Sequence, residues 1–296
     1  MKTSIRTIIL AAAAVFAAMS CQKEVAGKQE LVKEGETIQV NINAGLGDFV
    51  AADGTKATAT PVVRLEWSAG DKVDAYFGTT KISTGEGLTV TPSENRIFAK
   101  LSGEISSTGL TSGTSVITFV YSNGCIVENN LTFNFSSQDG TIPFVAYATL
   151  VYDGATTLID KLVEFKFATS VMKIAATNLG GGDITNATID GINTKVTLTP
   201  QTNSETVTIG GNTSGTITKT AGIDASSDGT RAIFTVGLVP NNNTRRSITI
   251  SQGAYTNKGF ITSTEILSSK SYTTPASLFS CGSLNGHDYV SIAGTK

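Results

Sequence analysis

Seven consecutive residues, Thr37-Ile38-Gln39-Val40-Asn41-Ile42-Asn43, alternate polar and apolar without a fault. In a strand, successive side chains point to opposite faces, so this pattern puts Ile38, Val40 and Ile42 on one face as anchors. The same habit returns along the chain, in Val63, Leu65 and Trp67, then in Val73–Phe77, Arg96–Leu101, Ser115–Tyr121 and Leu131–Phe135. Thr141–Val151, with Pro143 near its start, reads as an edge strand or extended crossover. The pattern restarts with Val163–Thr169, Val171–Thr177, Asn186–Ile192, Lys195–Thr199 and Glu205–Ile209, and closes with Gly215–Thr220, Ala232–Val239, Ser247–Ser251 and Gly259–Thr264. Asn123-Gly124, Asp139-Gly140, Asp153-Gly154, Asp190-Gly191 and Asp228-Gly229 supply turns, since these pairs readily take positive φ. Short strands with turns between them and almost no helical stretch predict an all-β chain of two β-sandwiches in tandem. Asp153 to Lys161 is the expected boundary.

Composition agrees with strands and turns. Charged residues make up 16% of the 296, well below the ~25% of an average globular protein, and Thr, Ser, Gly and Asn fill the deficit. Net charge is −2, which excludes a basic nucleic-acid surface as the chain's main business.

The N-terminus carries Lys2 and Arg6, then the uncharged apolar run Ile8 to Ala18 and the small residues Ala17-Ala18-Met19-Ser20 before Cys21. A basic start, a short apolar run and small residues before a cut describe a signal peptide. The run is shorter than the about 20 apolar residues of a comfortable span. A cysteine at the cut, with Ala18 and Ser20 at −3 and −1, resembles a bacterial lipobox, although Leu is commonest where Ala18 stands. That likeness implies acylation of Cys21 and a membrane partner through the lipid; each buried CH₂ adds roughly 0.8 kcal/mol, so two or more chains hold firmly. The expected layout is a signal peptide at 1–20, a polar tether at 21–36, sandwiches at 37–159 and 160–281, and a tail at 282–296. Losing Lys2 and Arg6 takes the charge from −2 to −4.

Four features together resemble the fimbrillin-like lipoproteins of Bacteroidales, pilins and tip proteins of type V pili. The first is the lipobox, tether and single alternating strand. The second is Thr55-Lys56-Ala57 followed by Leu65-Glu66-Trp67-Ser68-Ala69-Gly70-Asp71-Lys72-Val73, similar to that family's Trp-x-x-Gly-Asp opening. The third is Val145–Thr149 followed by Leu162–Ile174, similar to the strand pair opening the second domain. The fourth is Val239-Pro240, then Ser268-Ser269-Lys270-Ser271-Tyr272-Thr273, where Ser269 replaces the usual Gly. The likeness spans about residues 21 to 280. It implies two transthyretin-like domains, an outer-membrane or cell-surface location, a role in adhesion, and assembly with other pilus subunits by strand exchange. In that scheme a trypsin-like protease removes the first strand, here by cutting at Lys56-Ala57, and the vacated groove accepts an extended segment from another subunit. The tail Asn285–Lys296 is similar to the opening of a module at the end of some Bacteroidales and Fibrobacter surface proteins, which normally continues much further.

Catalytic chemistry finds no residues to carry it. The one histidine, His287, sits in the tail, and no phosphate-binding Gly-rich motif occurs. Cys125 and Cys281 show no metal-ligand spacing and read as separate buried thiols, with a disulfide as the alternative. Asp224–Gly229 has the first half of a calcium loop, but Thr235 stands where the bidentate Glu is needed. It reads as a polar turn, and no metal or cofactor is expected. Asp71 falls in a turn and Asp74 on a solvated strand face. Trp67 reads as core rather than a sugar platform, and Asn241–Arg246 as an exposed loop. The competing function is a monomeric surface lipoprotein that binds a glycan or another host or bacterial ligand, its sandwiches a passive stalk.

Overall fold

Alternation is realised as buried and exposed faces along nearly every strand of the computed structural model. It describes residues 33, 35–47, 50–51, 65–177, 179–211, 213–242, 245–253, 255–262 and 265–273, all within the unit Val32–Lys296. Cys21, Lys56, Ala57, Cys281 and the tail fall outside them. The described residues form strands and turns without a helix. In order these are β1 (Thr37–Leu46), β2 (Val50–Ala51), β3 (Lys72–Phe77), β4 (Thr80–Lys81), β5 (Leu88–Pro92), β6 (Phe98–Ser106), β7 (Val116–Asn123) and β8 (Ile126–Asn129). There follow β9 (Thr132–Asn134), β10 (Ser137–Gln138), β11 (Phe144–Val151), β12 (Thr157–Phe167), β13 (Ser170–Thr177), β14 (Ile184–Asn193) and β15 (Lys195–Pro200). The last are β16 (Val207–Gly210), β17 (Ser214–Lys219), β18 (Ile223–Ala225), β19 (Arg231–Leu238), β20 (Arg245–Gln252), β21 (Tyr255–Thr262) and β22 (Lys270–Thr273).

The largest sheet has the order β4-β3-β5-β6-β1-β12-β11-β7, and a further β3–β7 pairing closes it on itself. Closure removes sheet edges that would otherwise invite pairing with other chains. One apolar cluster fills this closed sheet, contributed by β1, β3, β5, β6, β7, β11 and β12 together with Trp67. A second cluster lies among β9, β13, β14, β15, β17, β19 and β20. Three sheets surround it, ordered β10-β17-β14-β20-β21, β18-β19-β13-β22-β2 and β16-β15-β9-β8.

The two cores share a wall. On β7, Ile117, Phe119 and Tyr121 face the first cluster while Val120 faces the second. On β3 and β11 the same division separates Ala75 from Tyr76 and Ala146 from Val145. A strand covered on both faces loses its polar alternation, which is why Val116–Tyr121 is an unbroken buried run.

Several segments differ from their sequence reading. Leu65–Trp67 is not a strand. Trp67 N donates to Arg96 O at 2.8 Å, and the chain then turns at Ser68–Asp71, tied by Gly70 N to Val90 O. The stretch 153–161, expected as a boundary, already contains the start of β12. Strands β8, β9 and β10 precede residue 159, yet β9 pairs with β15 and β10 with β17 in the sheets around the second core. Thr141–Val151 is no edge, because β11 pairs with β7 along its whole length and with β12 at Ala146 and Tyr147. Arg246, expected on an exposed loop, is buried, and its guanidinium donates to Asn241 O and Oδ1 at 3.2 Å each.

Candidate functional site

The three anchors of the first strand converge on one place. Ile38 and Ile42 are completely buried and Val40 nearly so. β1 lies inside the sheet with a neighbour on either side, antiparallel to β6 and parallel to β12. Across from β6, Ile38 meets Ile105, Val40 meets Gly103, Ile42 meets Leu101 and Ala44 meets Ala99. On the other side Val40 meets Leu158, Ala44 meets Val163 and Leu46 meets Phe165. Burying an aliphatic side chain of this size stabilises by roughly 1.5–3 kcal/mol, so the anchor face is the main energetic tie of β1 to the fold.

Gly103 is required opposite Val40. Its φ is +152°, a conformation that side chains rarely adopt, and a Cβ there would press on the Leu88 Cδ2 methyl at 3.0 Å. The entry to β1 is fixed by the backbone: Ser107 N donates to Glu36 O and Ser107 Oγ to Lys33 O, both at 2.9 Å. At the exit, Leu46 N donates to Ile97 O at 2.9 Å and Gly47 N to Phe165 O at 3.1 Å. The polar face of β1 is solvated, with Gln39 Nε2 donating to Glu104 Oε1 at 2.6 Å.

Beneath the anchors sits an aromatic stack. Trp67 lies over Tyr121 with ring centroids 4.5 Å apart, and Phe165 meets it edge-on at 5.3 Å. Phe144 continues the cluster from Tyr121 at 5.1 Å and reaches Phe167 at 5.7 Å. Trp67 is fully buried, so it packs the core and offers no stacking surface to a sugar. The Trp-x-x-Gly-Asp stretch has a physical reason here. Asp71 accepts from Ser68 N at 2.8 Å, which closes the turn, and accepts a hydrogen bond from the Tyr121 hydroxyl. Asp74 is held separately by Lys81 at 2.8 Å and by Ser83 Oγ at 3.2 Å. Asp228 accepts from Ser226 Oγ and from both N and Oγ of Thr230, so Asp224–Gly229 is a self-satisfied turn.

These buried phenols give the protein an alkaline limit. Burial first, then the Asp71 carboxylate, pushes the Tyr121 phenol well above its usual 10.0, and burial with Asp74 does the same for Tyr76. Burial pushes the Cys125 thiol up to about 12 from 9.0. Groups raised on folding stabilise fully below their unfolded values and lose that contribution as pH climbs toward the folded ones. Lys219 works the other way. Burial lowers its ammonium from 10.5 against the opposing pull of Asp139, so its contribution improves with rising pH. Burial also raises Tyr147, Tyr152 and Tyr272 and lowers Arg246, so raised groups outnumber lowered ones and stability is expected to fall above about pH 9, by up to roughly 1.4 kcal/mol per pH unit for each net proton. Urea titrations from pH 8 to 11 on the parent and on Tyr121→Phe check this; the variant should show the shallower decline.

No family model matches the sequence, and no curated protein matches it. Among solved structures, the chain is similar to a candidate cell adhesion protein from Bacteroides ovatus, at 12% identity and a TM-score of 0.46, covering 81% of this chain and 91% of that one. It is also similar to a fimbrial assembly protein from Parabacteroides distasonis, at 12% identity and a TM-score of 0.39, covering 80% and 91%. A third similar structure is the fimbrial anchor protein Mfa2 from Porphyromonas gingivalis, at 13% identity and a TM-score of 0.35, covering 72% and 78%.

Proposed function

We propose that the chain is a fimbrillin-like surface lipoprotein, a structural, accessory or tip subunit of a type V-like pilus that assembles by strand exchange and works in adhesion, without enzymatic activity. In this reading two transthyretin-like sandwiches are carried to the outer membrane by lipid on Cys21. A cut at Lys56-Ala57 then removes anchor and first strand together. The observation that supports it is the seat of β1. This strand is first in the described chain, is paired on both edges, and supplies one whole row of the first core through Ile38, Val40 and Ile42. Taking it out would leave two unpaired edges, β6 and β12, flanking an apolar slot, a template for β-augmentation. A monomeric glycan binder is the weaker alternative, since burial of Trp67 removes its aromatic platform.

The test is mass analysis of the mature N-terminus from cells, paired with unheated gel electrophoresis. A new N-terminus at Ala57 with heat-labile ladders is expected. Acylated Cys21 on every molecule, with a strictly monomeric protein, would overturn the reading.

A further inference from the structure

The segment that carries β1 does not end its pairing at Leu46. After Gly47 the same stretch forms β2, which runs parallel to β22 with Val50 opposite Lys270 and Ala51 opposite Ser271. β22 belongs to a sheet around the second core, where it lies between β13 and β2. One continuous segment, Thr37 to Ala51, is therefore an inner strand of the closed sheet and the outermost strand of another.

Two glycines permit the crossing. A Cβ on Gly45 would lie 3.3 Å from the ring of Phe98, which covers that position from the neighbouring strand, and a Cβ on Gly47 would lie 3.0 Å from Phe165 O. Contacts this close leave little room for a side chain. Leu46 between them is buried and pairs with Phe165. A cleft of about 310 Å³, lined by Gly45, Leu46, Gly47, Phe167 and Ser269, lies along the crossing. Ser269, immediately before β22, is held in the left-handed region at φ +57° by bonds from its N to Thr169 O and from its Oγ to Phe167 O. The ends of β12 and the start of β22 are thus tied to each other beside the path of the segment.

We infer that whatever polypeptide occupies the β1 seat has a two-part footprint, pairing first with β6 and β12 and then with the outer edge of β22. This rests on the strand-exchange reading and specifies its partner. The occupant is an extended segment of another subunit with alternate apolar residues, then Gly-x-Gly at the crossing, then a short strand former. The present occupant, residues 37–51, argues for it directly, because its register fills both parts at once. Release at any point after Ala51 opens the slot and the β22 edge together. Release that left β2 behind would open only the slot.

The experiment uses the full chain with a specific protease site in place of residues 55–58, cut and mixed with synthetic peptides of residues 36–51 or 36–46. Hydrogen exchange is followed in β6, β12 and β22. Loss of the native segment is expected to raise exchange in all three. The longer peptide should restore all three, and the shorter one should restore β6 and β12 alone with about tenfold weaker affinity, as loss of two strand-pair positions implies. Equal affinities with equal protection, or a β22 that stays protected after release, would overturn the two-part footprint while leaving strand exchange intact. Failure of both peptides to protect β6 and β12 would instead remove the strand-exchange reading, and this inference with it. If the cut chain retains its own segment, the uncut Gly47→Val variant reads the same crossing: exchange should rise in β22, and an unchanged β22 counts against the inference.

Discussion

Replacing Ile38, Val40 and Ile42 together by alanine is expected to unfold the first core and, through the shared strands β3, β7 and β11, to lower the amide protection of the second. Each large-to-small change of this kind costs about 2–5 kcal/mol for isoleucine, with valine at the low end, because the surrounding side chains close only part of the space left behind. A combined loss of roughly 6 kcal/mol or more is comparable with the entire stability of a typical domain, about 5–15 kcal/mol. The collapse cannot be relieved by a shift of neighbours. Ile105, Leu101 and Ala99 on β6 are themselves buried, and so are Leu158 and Val163 on β12. The chain has one tryptophan, and Trp67 belongs to the same cluster as the three anchors, so its fluorescence in a urea titration reports this core specifically. Exchange in β14 and β20 reports the other. Changing Asn41 and Asn43 on the outer face of the strand to threonine should move the midpoint by no more than about 0.5 kcal/mol equivalent. A triple variant that unfolds with the parent's midpoint would show that β1 is not held by its anchor face.

The contrast between β1 and β12 explains how much could be read in advance. β1 was legible from Thr37 to Asn43, where one face is core and the other water and the sequence alternates, but not over Ala44–Leu46, where all three residues are buried. β12 was legible only from Val163 onward. Its first half carries a bulge, where Asn41 pairs with Ile159 but Asn43 with Leu162, and Asp160 sits at φ +56°. The extra residue breaks the period of two, leaves Ile159 and Leu162 exposed, and brings Lys161 to Asp153 at 3.0 Å. A charged pair beside Asp153-Gly154 therefore looks like a linker. Such bulges and charges are a common protection for strands with an incompletely paired edge. Pairings between distant segments, such as β9 with β15, leave no local mark at all.

The candidate site divides the same way. The anchor residues announced themselves, whereas the parallel partner β12 and the crossing to β22 did not, since both depend on register rather than composition. Ser269 stands in the left-handed region at φ +57°. Its positive φ is the conformation glycine adopts most cheaply, and the hydroxyl bond to Phe167 O offsets part of what serine loses there.

Gly237→Ala is expected to be the most damaging small substitution in the second core. Gly237, on β19, passes so close to Pro143 that an added Cβ would overlap the Pro143 carbonyl oxygen and lie 2.8 Å from its Cγ. One main chain would have to give way. The neighbour most affected is Gln138, fully buried, which uses its side-chain amide as a surrogate strand. Its Nε2 donates to Gly237 O at 2.8 Å, and its Oε1 accepts from Gly237 N at 3.1 Å. Moving β19 breaks both bonds, and each buried polar group left unsatisfied costs about 1–3 kcal/mol in addition to the overpacking itself, also about 1–3 kcal/mol. A loss of roughly 4 kcal/mol is expected for Gly237→Ala. Gln138→Met, which keeps the volume and removes the bonds, should lose roughly 3 kcal/mol by the same accounting. Because the two substitutions destroy the same pair of bonds, the double variant should be less destabilised than the sum of the singles. Urea titrations of the four proteins, followed by exchange in β13 and β19, measure that coupling. Strict additivity would mean that Gln138 and Gly237 stabilise the second core independently and that the clamp between them carries no energy of its own.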